Sequence, residues 1–151
     1  MKKEISVLLF EDHPKDSENE TLPREIEDAA SNVGGRANVF TVLTIGELSY
    51  LVRNNSFDVI VLDIMAECPD LFWDEGRKEP VSPHEAGIAI LALIRMGRYG
   101  QTNKDATIYI RTARGERKIR KTVMRAGANG YFRAGADDDI LVGRIVEKIS
   151  S

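Results

Sequence analysis

The sequence predicts an α/β protein in three layers, with a five-stranded parallel sheet between two layers of helices. Three observations predict it. Short apolar runs alternate with capped, amphipathic helical stretches along the 151 residues, the pattern of βαβ units joined by right-handed crossovers. The run Val59-Ile60-Val61-Leu62 is unbroken and rich in β-branched residues, so it reads as a strand buried on both faces. Finally, the apolar runs stop at polar groups, namely Glu11-Asp12, Asp63 and Arg111-Thr112. Parallel sheets carry their reactive groups just beyond the carboxyl ends of their strands.

Each element has its own justification. Ile5 to Phe10 is nearly all apolar and forms the first strand. Ser17 and Glu20 have capping-box spacing and Pro23 suits a first helical turn, so a helix begins between Ser17 and Arg24 and stops at Gly34-Gly35. Ala37 to Val42 is the second strand, and Thr44 with Glu47 opens a short helix that ends near Asn54-Asn55. The central strand follows. Ala66 to Val81 reads as irregular, with Pro69, Gly76 and Pro80. Ser82-Pro83-His84-Glu85 is a strong helix start, with Ile88, Leu91, Leu93 and Ile94 as the apolar stripe and Gly97 and Gly100 as the stop. Thr107 to Ile110 is the fourth strand. A basic helix spans Gly115 to Arg125 with Ile119, Val123 and Met124 inward, and Gly127 closes it. Gly130-Tyr131-Phe132 is a short fifth strand. Asp137 caps a last helix with Ile140, Leu141, Ile145 and Ile149 at helical spacing.

With 42% hydrophobic residues the chain has enough apolar surface for one domain with a real core over residues 1–151. No run approaches the length of a membrane span, and the start lacks the apolar stretch of a signal peptide. One cysteine, Cys68, excludes an internal disulfide and a cysteine-based metal site. A reducing cytoplasm is the expected compartment. The net charge of -3 hides an asymmetry: residues 1–80 hold 17 acidic and 8 basic side chains, residues 81–151 hold 7 and 13. Such a chain can gather carboxylates at one site and offer cations at another.

When the first, third and fourth strands lie side by side, Glu11, Asp12, Asp63 and Thr112 meet at one sheet edge. Three carboxylates so close repel one another, and a hard divalent cation with oxygen ligands relieves the repulsion. Mg²⁺ fits that description. It would shield a phosphoryl group arriving at Asp63 and steady the charge on its oxygens. Thr112 can hydrogen-bond one of those oxygens, and the small Ala113 leaves room for them.

Phe10-Glu11-Asp12, Val61-Leu62-Asp63-Ile64-Met65, Arg111-Thr112-Ala113 and Ala126-Gly127-Ala128-Asn129-Gly130-Tyr131 resemble, in order and spacing, the motifs of two-component response regulator receiver domains. The match runs from about Ile5 to Ile149. The resemblance implies a flavodoxin-like fold with strand order 2-1-3-4-5, and phosphorylation of Asp63 by a histidine kinase or phosphotransfer protein. It implies Mg²⁺ held by Glu11, Asp12, Asp63 and the Met65 backbone carbonyl. Thr112 and Tyr131 would be the switch pair, and the output would pass through the face of the fourth helix, fifth strand and last helix.

Two departures stand out. The family carries a lysine three residues after the switch aromatic, and here Ala134 occupies that place. A missing charge-assisted bond would loosen the phosphoryl group by roughly 1.5–3 kcal/mol. Arg133 is a candidate substitute, although adjacent strand residues point to opposite faces. The second departure is the insertion at 66–82, which holds Phe72, Trp73 and the acids Glu67, Asp70, Asp74, Glu75 and Glu79. Structureless loops beyond about 12–15 residues are uncommon in compact domains and often cover a site or bind a partner.

Taken singly, each motif has a plainer meaning. Asp63 alone could simply end a strand, Thr112 be a strand-end hydroxyl, and Tyr131 a packing residue. His13 and His84 share no motif and make no metal site. The basic run Arg111, Arg114, Arg117, Lys118, Arg120, Lys121, Arg125 and Arg133 faces the single acid Glu116. It is either a solvated helix face or a surface for an acidic protein partner; nucleic acid is disfavoured, because stacking aromatics and a helix-turn-helix are absent. The expectation is therefore a stand-alone phospho-acceptor, monomeric or weakly dimeric, with no turnover beyond self-phosphorylation and autodephosphorylation. The rival is a degenerate receiver serving as a non-switching scaffold. A haloacid-dehalogenase-type hydrolase is disfavoured, since Met65 stands where that chemistry needs a second aspartate.

Overall fold

Buried on both faces, the strand β3 (Val59–Leu62) sits at the middle of the sheet. The computed structural model describes residues 3–11, 21–64, 73–74, 79–80, 86–113 and 117–150. In chain order the elements are β1 (Glu4–Phe10), α1 (Thr21–Asn32), β2 (Arg36–Val42), α2 (Ile45–Asn54), β3, β4 (Trp73–Asp74), β5 (Glu79–Pro80), α3 (Ala86–Arg95), β6 (Thr107–Thr112), α4 (Arg117–Arg125), β7 (Gly130–Arg133) and α5 (Asp138–Ser150). The main sheet runs β2-β1-β3-β6-β7 with every pairing parallel. This is the flavodoxin-like order expected from the sequence, 2-1-3-4-5 once the insertion strands are set aside.

Alternation along the strands divides the core in two. Ile60 and Leu62 turn toward α2, α3 and α4, joining Leu48, Val52, Leu91, Ile94 and Val123. Val59 and Val61 turn toward α1 and α5, joining Leu22, Ile26, Leu141 and Ile145. Both faces of β3 are thus removed from water, which is why its sequence shows no polar alternation.

The local signals of α1 and α2 are met by their caps. The Thr44 hydroxyl accepts the Glu47 N–H at 3.1 Å and caps α2. Gly34 ends α1 at φ 79°, a conformation that side chains with a Cβ rarely adopt. The Ser17–Glu20 box and the Ser82–Glu85 helix start lie outside the described residues, as do His13, Cys68, Phe72 and His84.

Three expectations need correction. Met124 is 42% exposed and so is not on the inner face of α4, and Ile140 is 57% exposed on α5. In each helix the buried row follows the four-residue step from a neighbour, Ile119–Val123 in α4 and Leu141–Ile145–Ile149 in α5, and one residue further round faces water. The stretch 66–81 is not wholly irregular either: Trp73–Asp74 and Glu79–Pro80 pair as a short antiparallel ribbon.

Two contacts hold the connecting segments, one at each end of the central strands. Asn103, 1% exposed, accepts the Phe57 N–H at 2.8 Å and donates to the carbonyls of Val52 and Asn55 at 2.6 Å each. It ties the approach to β6 to the approach to β3. Gly87 packs its backbone on the exit from β3, where a Cβ would strike the Asp63 carbonyl oxygen and come within 2.5 Å of Ile64 Cα. Its N–H donates to the Ile64 carbonyl at 3.2 Å.

Candidate functional site

Register brings the polar ends of three strands into one row. Phe10 pairs with Leu62 and Leu62 with Ile110. Continued by one residue, that register aligns Glu11, Asp63 and Arg111 across β1, β3 and β6. Neighbouring strands lie about 4.8 Å apart. Alternation sends the residues at these positions toward α1 and α5, below Leu9, Val61 and Tyr109.

Glu11 is buried, and its Oε1 has no hydrogen-bond partner among the described residues; Arg111 Nη1 stands 3.5 Å from it. Burial pushes the Glu11 carboxyl up to about 7; the Arg111 charge pulls it down, while the charges of Asp63 and Asp138 push it further up. Arg111 makes its hydrogen bonds to the first residue of α5. Its Nε donates to Asp138 Oδ1 at 2.9 Å and its Nη2 to Oδ2 at 3.0 Å, a bidentate fork. These bonds keep the guanidinium firmly protonated, against burial and with help from the charges of Asp138, Glu11 and Asp63.

The other residues expected at the site differ in their placement. Asp63 is half-buried, and its N–H donates to the Phe10 carbonyl at 3.3 Å. Thr112 is buried at the end of β6, and Ala113 beyond it is exposed. Tyr131 is partly buried against the α2–α3–α4 side of the core. Arg133 is exposed, and its N–H donates to Asp137 Oδ2 at 2.8 Å. Ala134 donates its N–H to the Thr112 carbonyl at 2.8 Å. Asp12 and Met65 lie outside the described residues.

The donor set fits a divalent cation. A buried glutamate oxygen without a hydrogen bond among the described residues, beside the carboxylate of Asp63, is a donor that a hard cation can satisfy. Among the described residues no three His, Cys, Asp or Glu side chains gather as a metal site, so a complete shell needs a further ligand from Asp12, Met65 or solvent.

Arg111 is the residue that sequence reasoning misplaces. The sequence groups it with the basic run of α4, whereas its side chain is only 12% exposed and lies among acids. Counting by twos from Tyr109 places it on the Glu11 face. The Ala126–Tyr131 motif, in contrast, contains a structural asparagine: Asn129 Oδ1 accepts the Ile108 N–H at 2.8 Å and Arg95 Nη2 at 2.7 Å. Arg95 also donates to the carbonyls of Gly127 and Ala106, which fixes the entry to β7. On α4, Arg117, Arg120, Lys121 and Arg125 are exposed.

No protein-family model matches the chain, and no curated protein matches it by sequence. Solved structures do. The chain is similar to the signal receiver domain of a DNA-binding response regulator from Colwellia psychrerythraea 34H, with 15% identity over 97% of this chain and 99% of that one and a TM-score of 0.71. It is similar to a LuxR-family two-component response regulator from Aurantimonas sp. SI85-9A1, with 23% identity, 97% and 85% coverage and a TM-score of 0.67. A response regulator from Thermotoga maritima matches at 18% identity, 97% and 99% coverage and a TM-score of 0.63. No helix among the described residues is long and apolar enough to cross a membrane. Over nearly its whole length, this chain has the fold of a response regulator receiver domain.

Proposed function

We propose that the protein is a phospho-acceptor signalling domain in which Asp63 takes a phosphoryl group from a histidine kinase, a phosphotransfer protein or a small acyl phosphate. One observation carries the reading: the buried Oε1 of Glu11, without a hydrogen bond among the described residues, beside Asp63 at the carboxyl edge of the sheet. In the transfer an Asp63 carboxylate oxygen forms a bond to phosphorus, the bond from phosphorus to the donor breaks, and the donor leaves with that electron pair. Glu11, Asp63, Asp12 and the Met65 carbonyl would hold Mg²⁺, which would supply positive charge at the phosphoryl oxygens. Thr112 donates a hydrogen bond to one of those oxygens, and Ala113 leaves space beside it. Hydrolysis of the acyl phosphate returns the carboxylate.

The signal passes by protein contact. The exposed cations of α4 suit an acidic partner, and Tyr131 at the adjoining strand is the group whose rearrangement reports on Thr112. A non-switching scaffold is the second reading, favoured by Ala134 in the lysine place.

Beryllofluoride with Mg²⁺, added to the full chain, separates the two. Under the first reading the fluorescence of Trp73, the only tryptophan, changes, and Asp63→Asn abolishes the change. A flat signal favours the scaffold.

A further inference from the structure

We infer that Arg111 is the cation that holds the phosphoryl group on Asp63, displaced from β7 to β6 in this chain; the inference rests on the phospho-acceptor reading above. The row of strand ends sets Arg111 directly beside Asp63, with Glu11 on the other side. Phosphorylation places additional negative charge in a pocket that already holds a buried carboxylate. Among the described residues, Arg111 is the cation that stands against this row, with Nη1 3.5 Å from Glu11 Oε1.

The fork to Asp138 defines how it works. Nε and Nη2 are committed to Asp138, and Nη1 is turned toward Glu11, 3.5 Å from its Oε1. A phosphoryl oxygen on Asp63 gains a donor already aimed and already desolvated, with little rotamer freedom left to lose. Asp138 is therefore a positioning residue, and it joins the pocket to the first turn of α5. Arg133 has no part in holding the group, since it is exposed and its N–H is turned to Asp137 Oδ2. Ala134 lies two residues past Phe132, the register partner of Arg111. A lysine at 134 would therefore reach the same pocket, and Arg111 makes it redundant.

The experiment follows labelling of the full chain by acetyl phosphate with Mg²⁺ on a phosphate-affinity gel. Folding of each variant is checked by circular dichroism. Arg111→Gln should lower the initial rate of labelling by about tenfold or more, the worth of a charge-assisted hydrogen bond. Ala134→Lys added to that variant should restore the rate to within about threefold of wild type, because it returns the lost charge to the pocket. Arg111→Lys keeps the charge but gives up the fork, so if Arg111→Gln does not fold it should label more slowly than wild type, and a wild-type rate there overturns the inference. Folded Arg111→Gln that labels at the wild-type rate, while Asp63→Asn does not label, overturns the inference and leaves the phospho-acceptor reading intact. So does a folded double variant that stays as slow as Arg111→Gln. Wild-type protein that takes no label overturns both.

Discussion

Asp138, the first residue of α5, grips Arg111 at the end of β6 with two parallel hydrogen bonds of 2.9 and 3.0 Å. The pair is more than a surface ion pair, because the two side chains are 12% and 18% exposed and Arg111 also faces Glu11. Asp138→Ala should cost about 1.5–3 kcal/mol in urea unfolding, the range for a hydrogen bond to a charged group. A smaller loss than for an exposed lysine–glutamate pair would contradict the assignment.

Glu11 and Asp138 should give opposite pH dependences in separate windows. Glu11 ionises near 4.5 in the unfolded chain and about 7 in the fold, so the fold binds its proton more tightly. Stability from this group is fully present below 4.5 and declines as pH rises to 7. Asp138 behaves the other way. Burial pushes it up, but the hydrogen bonds and charge of Arg111 and a backbone bond from Gly135 outweigh that and hold it below the usual value of 3.8. Its contribution is present above 3.8 and lost on further acidification. Glu11→Gln should remove the decline between 4.5 and 7 seen in thermal melts of the wild type.

Mg²⁺ should stabilise the protein more at pH 8 than at pH 5, because it binds the ionised form of Glu11 and competes with the proton. Thermal melts with Mg²⁺ and with excess chelator check this. An equal Mg²⁺ effect at both pH values would place the ion away from Glu11.

Gly87→Ala should destabilise the fold by about 1–3 kcal/mol, the usual cost of overpacking. The added methyl meets the backbone of Asp63 and Ile64, which cannot swing aside as a side chain does. Labelling of Asp63 should fall with it. Gly143→Ala is the control, since a Cβ there meets nothing within 4 Å.

Asn103→Ala should cost roughly 2–3 kcal/mol, since it strands the buried Phe57 N–H and two carbonyls. Asn103→Asp should also destabilise, because a carboxylate would face the carbonyls of Val52 and Asn55. Denaturant midpoints of the two variants measure both effects.

The strands are legible in the sequence for a physical reason. Burial on both faces leaves unbroken runs such as Val59–Leu62, and every such run ends at a polar group that the sheet carries to one edge. The helix faces of Met124 and Ile140 are less legible, because apolar residues adjacent in sequence lie about 100° apart around a helix and only one of them faces the core. Asn103 carries no local signal at all; its three partners come from a segment about fifty residues earlier. Arg111 is hidden by its neighbours. A run of basic residues suggests one exposed face, yet a strand ends and a helix begins within that run, so its members belong to two different environments.

The most direct measurement locates the phosphoryl group. The full chain is treated with acetyl phosphate and Mg²⁺, reduced with borohydride so that an aspartyl phosphate becomes homoserine, and mapped by peptide mass spectrometry. Homoserine is expected at position 63, and none when Mg²⁺ is chelated. Conversion at another carboxylate, or no conversion with the ion present, would contradict the proposed function.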